Sequence, residues 1–193
     1  MNILNVGYDS TNYYLLGDGA RRLLIDVGWP GTLPKLLGTL KRKGVALTDI
    51  SALVVTHYHP DHAGLAQELK DQGVRLVVLE TQLSAIPQLR RHIKPSYPYR
   101  EISLDGNVNL RAAESRRFLQ QMGISGEIIS TPGHSADSVT LILDEGAAFT
   151  GDLTRLEMAT DEARRELEQS WEKIRARRAK TIYPGHGPAW QLE

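Results

Sequence analysis

The chain has 193 residues, of which 41% are hydrophobic and 24% are charged. These values lie near the averages of globular proteins and exclude collagen-like, coiled-coil and disordered chains. The 23 basic and 23 acidic residues give a formal net charge of zero, so no overall field attracts the protein to nucleic acid or to an anionic membrane. The length predicts a single domain over residues 1–193.

Cysteine is absent, which excludes disulfides, a cysteine nucleophile and cysteine-ligated metal sites. The first ten residues lack the basic and long apolar segments of a signal peptide, and no stretch approaches the roughly 20 apolar residues of a membrane span. We therefore expect a cytoplasmic protein with no membrane contact. We also expect its partner to be a small-molecule substrate rather than nucleic acid.

Hydrophobic patterning predicts a mixed α/β chain. Short apolar runs between turn residues predict strands at 13–16, 22–25, 52–55, 76–79, 127–129, 139–143, 147–150 and 181–183. Apolar residues at three- and four-residue spacing predict helices over 33–43, 63–71, 111–122 and 161–178. Gly44, Gly73 and Gly123 stand where a helix commonly ends in glycine. The hairpin within residues 13–25 predicts that the sheet is partly antiparallel.

The chemistry of the sequence lies in its histidines, three of which occur in HYHPDH at 57–62, directly after an apolar predicted strand. Residues that leave a strand project alternately, so His57 and His59 can point to the same side, and Pro60 suits the first turn of a helix. Asp61 and His62 can then face the same space. Four coordinating groups within six residues predict a metal site, because one ion needs several imidazoles or carboxylates around it.

Three further candidate ligands follow apolar predicted strands. His134 lies in PGH at 132–134, Asp152 in GD at 151–152, and His186 in PGH at 184–186. Each alone is typical of a simple turn. If these strands end at one edge of a sheet, their terminal loops gather there and place the three side chains beside the first cluster.

The pattern resembles the metallo-β-lactamase superfamily of binuclear metallohydrolases, and the positions that carry the resemblance are His57, His59, Asp61, His62, His134, Asp152 and His186. The resemblance covers nearly the whole chain, including the opening segments 11–16 and 24–28. It implies an αββα sandwich, in which two mixed β-sheets pack face to face with helices outside. It also implies that the metals lie in a groove at one edge.

The resemblance implies a role for each ligand. The first metal would be held by His57, His59 and His134, and the second by Asp61, His62 and His186. Asp152 would bridge both. The expected cofactors are two divalent ions, zinc in the first place, with iron and manganese as alternatives. His92 matches no ligand position.

A two-metal site predicts hydrolysis. Two cations that share a carboxylate lower the pKa of bound water, so that a hydroxide nucleophile exists at neutral pH. They also polarise the oxygen under attack, which removes the need for a serine or cysteine nucleophile. Asp61 is the candidate catalytic residue, since its carboxylate can orient the attacking water or receive its proton.

Several branches of the superfamily fit this sequence less well. The secreted β-lactamases commonly use a cysteine ligand or lack the bridging aspartate, the flavodiiron branch has an acidic residue at the place of His59, and the ribonuclease Z branch carries an extra arm for tRNA. The chain is most similar to the small glyoxalase II-like group, here without the C-terminal helical domain that binds glutathione in longer members. We therefore predict a hydrolase of a small-molecule ester, thioester or lactone.

Other functions stay open. Residues 88–120 carry a net charge of +4, which keeps a metal-dependent phosphodiesterase as the alternative activity, although most such stretches are a solvated face. A non-catalytic metal-binding or regulatory protein and an iron-dependent persulfide oxidation are the remaining hypotheses. Residues 81–109 predict a shaped loop that forms the variable wall of the groove, with His92, Tyr97 and Tyr99 as candidate substrate contacts.

Overall fold

A computed structural model describes residues 1–19 and 21–192, and in these residues the strands form two mixed sheets. The first sheet contains, in chain order, β1 (Ile3–Asn5), β2 (Tyr14–Leu16), β3 (Arg22–Ile25), β4 (Ile50–Val54), β5 (Arg75–Leu79) and β6 (Val108–Leu110). β1, β2 and β3 pair antiparallel, whereas β3, β4, β5 and β6 pair parallel.

The second sheet contains β7 (Gly126–Ser130), β8 (Val139–Leu143), β9 (Ala147–Gly151), β10 (Thr181–Pro184) and β11 (Trp190–Gln191), in the order β11-β10-β9-β8-β7. β9 and β10 are parallel, and the other neighbours are antiparallel. Since β7 and β9 both run opposite to β8, the strands β7, β9 and β10 share one direction. Their C-terminal ends therefore lie at the same edge of this sheet.

Five α-helices are described, namely α1 (Leu33–Arg42), α2 (Pro60–Ala63), α3 (Ala66–Asp71), α4 (Ser115–Gln121) and α5 (Asp161–Ala176). The first three pack on the outer face of the first sheet, α5 packs on the outer face of the second, and α4 lies against β7. None of the helices in the described part of the chain combines the length and apolar character that a membrane span requires.

The two sheets pack face to face through one apolar core. Neighbouring strand residues face opposite sides, so Leu16 and Leu23 point between the sheets, while Leu15 and Leu24 point toward the outer helices. Trp171 of α5 is buried beneath the second sheet, and its indole nitrogen donates a hydrogen bond to the Thr154 carbonyl at 2.9 Å. The predicted αββα sandwich is confirmed.

The sequence patterns locate the longer elements well and the short edge strands badly. β1, β6 and β11 were not predicted, because two or three residues carry too little periodicity to stand out. The helix predicted over 63–71 is two short helices, interrupted at Gly64 and Leu65. The loop predicted over 81–109 contains a 3-10 helix (Ile86–His92), and its last two residues already belong to β6.

Candidate metal centre

The motif at 57–62 leaves β4 and turns directly into α2. His59 is the extended residue before the helix, with φ −99° and ψ 158°, and Pro60 occupies the first helical turn as predicted. His57 and His62 are buried, His59 is half-buried, and Asp61 keeps 17% of its side chain exposed. The motif therefore places its coordinating atoms at the edge of the first sheet. His57 and His62 lie in the interior, and His59 and Asp61 lie nearer the surface.

The remaining predicted ligands come from the second sheet. His134 follows β7, Asp152 follows β9, and His186 follows β10, all at the edge where these strands end. A backbone hydrogen bond of 2.8 Å from Val139 to Thr56 joins the two sheets at this edge. The structure thus brings all seven predicted ligands to one place.

Three groups of coordinating atoms satisfy the geometry of a shared ion, each with its atoms within 4.8 Å of one another. The groups are His57, His59 and His134; His57, His62 and Asp152; and Asp61, His62 and His186. They overlap through shared members, so the cluster is continuous. It opens to solvent on the side of His134 and His186, which are exposed.

Asp152 lies at the centre of the cluster. Its Oδ2 is 3.9 Å from His57 Nε2, 3.8 Å from His134 Nε2 and 3.4 Å from His186 Nε2. Its Oδ1 is 3.3 Å from His62 Nε2. One carboxylate therefore faces members of both predicted ligand sets.

The second nitrogen of several imidazoles is held by the protein. His62 Nδ1 lies 2.9 Å from Asp26 Oδ2, His57 Nδ1 lies 3.2 Å from the Thr56 hydroxyl, and His186 Nδ1 lies 2.7 Å from the Ser10 carbonyl. These contacts aim the Nε2 atoms into the cluster. Partners of this kind fix the ring orientation and tautomer of metal-binding histidines.

Asp26 is a functional residue that sequence reasoning missed. It is 2% exposed with φ +62°, and its carboxylate also accepts hydrogen bonds from the Thr56 backbone N–H at 2.6 Å and the Thr56 hydroxyl at 2.8 Å. One sequence feature could have indicated Asp26: it is an acidic residue directly after the apolar strand β3, as Asp152 is directly after β9.

The residues present fit divalent metal ions. His57 Nε2, His62 Nε2 and Asp152 Oδ1 are buried and have no hydrogen-bond partner among the described residues. Such atoms are costly to bury unless something else satisfies them. Gly185 leaves room beside them, because a Cβ at this position would collide with Asp152 Oδ1 and His62 Cε1. Five imidazoles and two carboxylates form a donor set suited to zinc, iron or manganese.

The charge states of the cluster differ between its members. Burial lowers the pKa of His57, His59 and His134, and neighbouring histidines lower the pKa of each further. For His62 burial acts in the same direction, but Asp26 and Asp152 outweigh it and raise the pKa to about 10. Burial would raise the pKa of Asp152, yet the contact with His62 lowers it. These shifts favour the neutral form of His57, His59 and His134 at neutral pH and the doubly protonated form of His62 in the metal-free protein.

We expect metal binding to release the extra proton of His62, about one per chain between pH 7 and 8, in addition to any proton that metal-bound water loses, because a cation must replace the proton on this ring. Since the pKa of His62 is raised, metal affinity should increase as pH rises toward about 10. Calorimetric titration in two buffers of different ionisation enthalpy measures the proton count. The His62→Gln variant should lose this release, and an unchanged count in that variant would contradict the assignment.

Residues 81–109, the predicted loop, approach the cluster of predicted ligands through His92. His92, the last residue of the 3-10 helix Ile86–His92, is exposed, and its ring centroid lies 5.4 Å from that of His59. Tyr97 packs on Trp29 with ring centroids 6.1 Å apart. Tyr99 packs against the apolar cluster between the first sheet and the helices on its outer face. Of the three candidate substrate contacts, His92 thus lies beside a predicted ligand.

A cavity of about 310 Å³ adjoins the cluster and is lined in part by His134, Asp152 and His186. A larger cavity of about 660 Å³ lies beside Ile50, Arg75 and Phe118 and contains none of the seven predicted ligands. The smaller cavity is the one placed to hold a reacting group.

The fold has two mixed sheets with helices outside. A centre rich in histidine and aspartate lies at one edge. Together these features define the αββα class of metal-binding proteins. The chain belongs to the metallo-beta-lactamase superfamily, since the sequence model of that superfamily matches residues 6–186.

Curated relatives and solved structures agree with this. A beta-lactamase-like protein 2 homolog of Caenorhabditis elegans is 31% identical over 180 residues, covering 92% of this chain and 56% of the relative. An atrochrysone carboxyl ACP thioesterase of Aspergillus fumigatus is 33% identical over 184 residues, covering 92% of this chain and 50% of the relative. The chain thus spans little more than half the length of these relatives.

Among solved structures, a metallo-beta-lactamase family protein of Thermus thermophilus superposes with a TM-score of 0.74 at 19% identity, covering 98% of this chain and 74% of that one. The BLEG-1 B3 metallo-beta-lactamase superposes with a TM-score of 0.72 at 22% identity, covering 98% and 93%. At these identities the likeness concerns the fold alone.

Proposed function

We propose that the chain is a metal-dependent hydrolase that cleaves an ester, thioester or lactone bond of a small molecule. The observation that carries the proposal is the Asp152 carboxylate, which faces members of both predicted ligand sets: Oδ2 faces His57, His134 and His186, and Oδ1 faces His62. This arrangement suits two ions that share one carboxylate. Among the three bond types, the thioester is supported by the 33% identical relative that is named a thioesterase.

The ligand sets follow the geometry of the cluster. His57, His59 and His134 would hold one ion, Asp61, His62 and His186 would hold the other, and Asp152 would contact both. Zinc is the metal we propose, given the predominance of imidazole donors. When bound, two such ions lower the pKa of water enough to supply a nucleophile at neutral pH and polarise the carbonyl oxygen of the substrate.

In this proposal Asp61 handles a proton during the reaction. Its Oδ2 accepts a hydrogen bond from the Thr11 hydroxyl at 3.2 Å and lies 3.2 Å from His186 Nε2. These contacts hold the carboxylate at the exposed side of the cluster. There it can orient a water molecule or accept the proton that the water loses during attack.

We expect about two metal ions per chain after reconstitution, together with turnover of at least one ester, thioester or lactone. The protein should be stripped with a chelator and loaded separately with zinc, iron and manganese. Elemental analysis and a panel of ester, lactone, thioester and bis-aryl phosphodiester substrates are then run on the same samples. Fewer than about one ion per chain for all three metals would contradict the site. Full metal content without turnover would favour a binding protein, and dioxygen consumption with the iron form would favour persulfide oxidation.

The basic stretch at 88–120 gives little support to a phosphodiester. Arg100 pairs with Asp71, Arg111 with Glu114, and Arg116 with both Glu127 and Asp144. Three of its seven positive charges are therefore already neutralised by neighbouring carboxylates.

We expect kcat/KM to depend weakly on salt as ionic strength passes the range where the Debye length is about 8 Å. Steering of a polyanion by unpaired arginines would instead make the rate fall steeply. The measurement is kcat/KM over a salt series for a neutral ester and for a bis-aryl phosphodiester. If the phosphodiester is turned over much faster, and its rate collapses in alanine variants of Arg90, Arg91 and Arg100, the phosphodiesterase alternative replaces this proposal.

A further inference from the structure

The cavity of about 310 Å³ beside the cluster has an apolar part in its wall as well as three of the predicted ligands. The apolar part includes Leu153, Met158, Ile182 and Trp190. Met158 is 74% exposed, and its flexible thioether can adapt to a bound group. A substrate whose scissile bond lies at the cluster would therefore place an apolar segment against this wall.

One arginine stands at this apolar wall. The guanidinium carbon of Arg155 lies 4.3 Å from the ring centroid of Trp190. Trp190 packs in turn on the buried Trp171, with ring centroids 5.7 Å apart. Stacking on an anchored aromatic ring holds the guanidinium in a defined position while leaving its N–H donors free to bind a ligand.

Among residues 1–19 and 21–192, no carboxylate lies within ion-pair distance of the Arg155 guanidinium. An adjoining cavity of about 290 Å³ shares Arg155, Trp171 and Trp190 and adds Arg175, and Glu157 is the acid that lines it among the described residues. This second cavity contains none of the seven predicted ligands. Apolar and basic side chains thus line these two adjoining cavities next to the predicted ligands.

We propose that the substrate carries an anionic group, a carboxylate or a phosphate, and that Arg155 on Trp190 binds this group. An apolar segment of the substrate separates the anion from the scissile bond. The inference rests on the hydrolase function proposed above and names its substrate class. Arg155 determines specificity and takes no part in bond cleavage. In a thioester the anion belongs either to the acyl part, as in a dicarboxylic acid monothioester, or to the thiol part, as in phosphopantetheine.

Matched substrates distinguish these two sources. For the acyl part, the hexanoyl and adipoyl thioesters of N-acetylcysteamine differ by a terminal carboxylate. For the thiol part, hexanoyl-pantetheine and hexanoyl-4′-phosphopantetheine differ by the phosphate. We expect the anionic member of one pair to be preferred by about 10-fold or more in kcat/KM, mainly through KM, as for a charge-assisted bidentate contact.

Variants of Arg155 test whether this residue causes the preference for the anionic substrate. Arg155→Gln should reduce it to less than about 3-fold, because the anionic member loses its partner, while Arg155→Lys should retain part of it. The control is Arg164→Gln on α5, which removes the same charge from an exposed position that lines neither cavity. This control should keep the full preference.

Binding separates this inference from the hydrolase proposal. Quenching of tryptophan fluorescence measures the affinity of non-hydrolysable thioethers, S-hexyl-pantetheine against S-hexyl-4′-phosphopantetheine, and the S-hexyl against the S-(5-carboxypentyl) derivative of N-acetylcysteamine. Tighter binding of an anionic member, lost in Arg155→Gln but without turnover, supports the anion site and contradicts thioester hydrolysis. Turnover without any anion preference, or a preference that survives Arg155→Gln, overturns the anion site. Absence of both turnover and preference overturns the anion site and the thioester alternative of the proposed function.

Discussion

Replacing Asp152 with alanine should reduce kcat/KM by more than about 100-fold, since even an outer partner of a metal ligand is worth about 10- to 100-fold. The reason is its position. Its two oxygens face His57, His134 and His186 on one side and His62 on the other, at 3.3 to 3.9 Å. Alanine would leave these imidazoles without a shared anion, so the affinity for one or both ions should fall with the activity.

Tyr97→Phe is the comparison for this variant. Tyr97 is 42% exposed and packs on Trp29, so loss of its hydroxyl removes at most one hydrogen bond. Activity and metal content should be measured on the same preparations, because the two must fall together in Asp152→Ala. Equal rates for the two variants with metal retained would refute the assignment of Asp152.

Asp26→Asn should weaken the binding of one of the two metal equivalents by about 10- to 100-fold, although Asp26 belongs to neither predicted ligand set. Its carboxylate accepts hydrogen bonds from the Thr56 N–H, the Thr56 hydroxyl and His62 Nδ1. An asparagine has one acceptor oxygen where the carboxylate has two. If the amide nitrogen faces His62, it donates to Nδ1 and shifts the ring proton to Nε2, the atom that faces Asp61 and Asp152.

The opposite orientation of the asparagine is no better. With its oxygen toward His62, the amide nitrogen meets the Thr56 N–H, and two buried donors are left facing each other. Either arrangement should also lower the free energy of unfolding by about 1 to 3 kcal/mol, the cost of an unsatisfied buried group. Asparagine is suited to the backbone at φ +62°, so the change tests the side chain rather than the turn.

Chelator competition gives the metal affinities of this variant, and nitrogen NMR of the histidine rings reports the His62 tautomer. Asp144→Asn is the matched control, since Asp144 is 51% exposed and pairs only with Arg116. The control should keep both affinities. Affinities within about threefold of the parent in Asp26→Asn, with an unchanged tautomer, would show that Asp26 does not position His62.

The seven predicted ligands could be found from the sequence because their signals are local. Each follows an apolar strand, and HYHPDH concentrates four of them in six residues. When a buried strand ends in a tight turn, the next polar residue lies at the edge of the sheet. This holds for strands of either sheet. The helices α1 and α5 and the longer strands were predictable for a similar reason, since ten or more periodic residues, or four buried ones, leave a clear pattern.

Contacts between residues far apart in the chain required the tertiary structure. Asp26 meets His62 across 36 positions, His92 reaches His59 through a 3-10 helix, and Arg155 stacks on Trp190 from another part of the second sheet. The edge strands β1, β6 and β11 form because a neighbouring strand offers them hydrogen bonds, which their own residues do not indicate. The sequence alone thus determined which residues can coordinate an ion. The packing of one sheet on the other decided which nitrogen each imidazole presents and which side chains surround the substrate, because those choices depend on distances that no local pattern encodes.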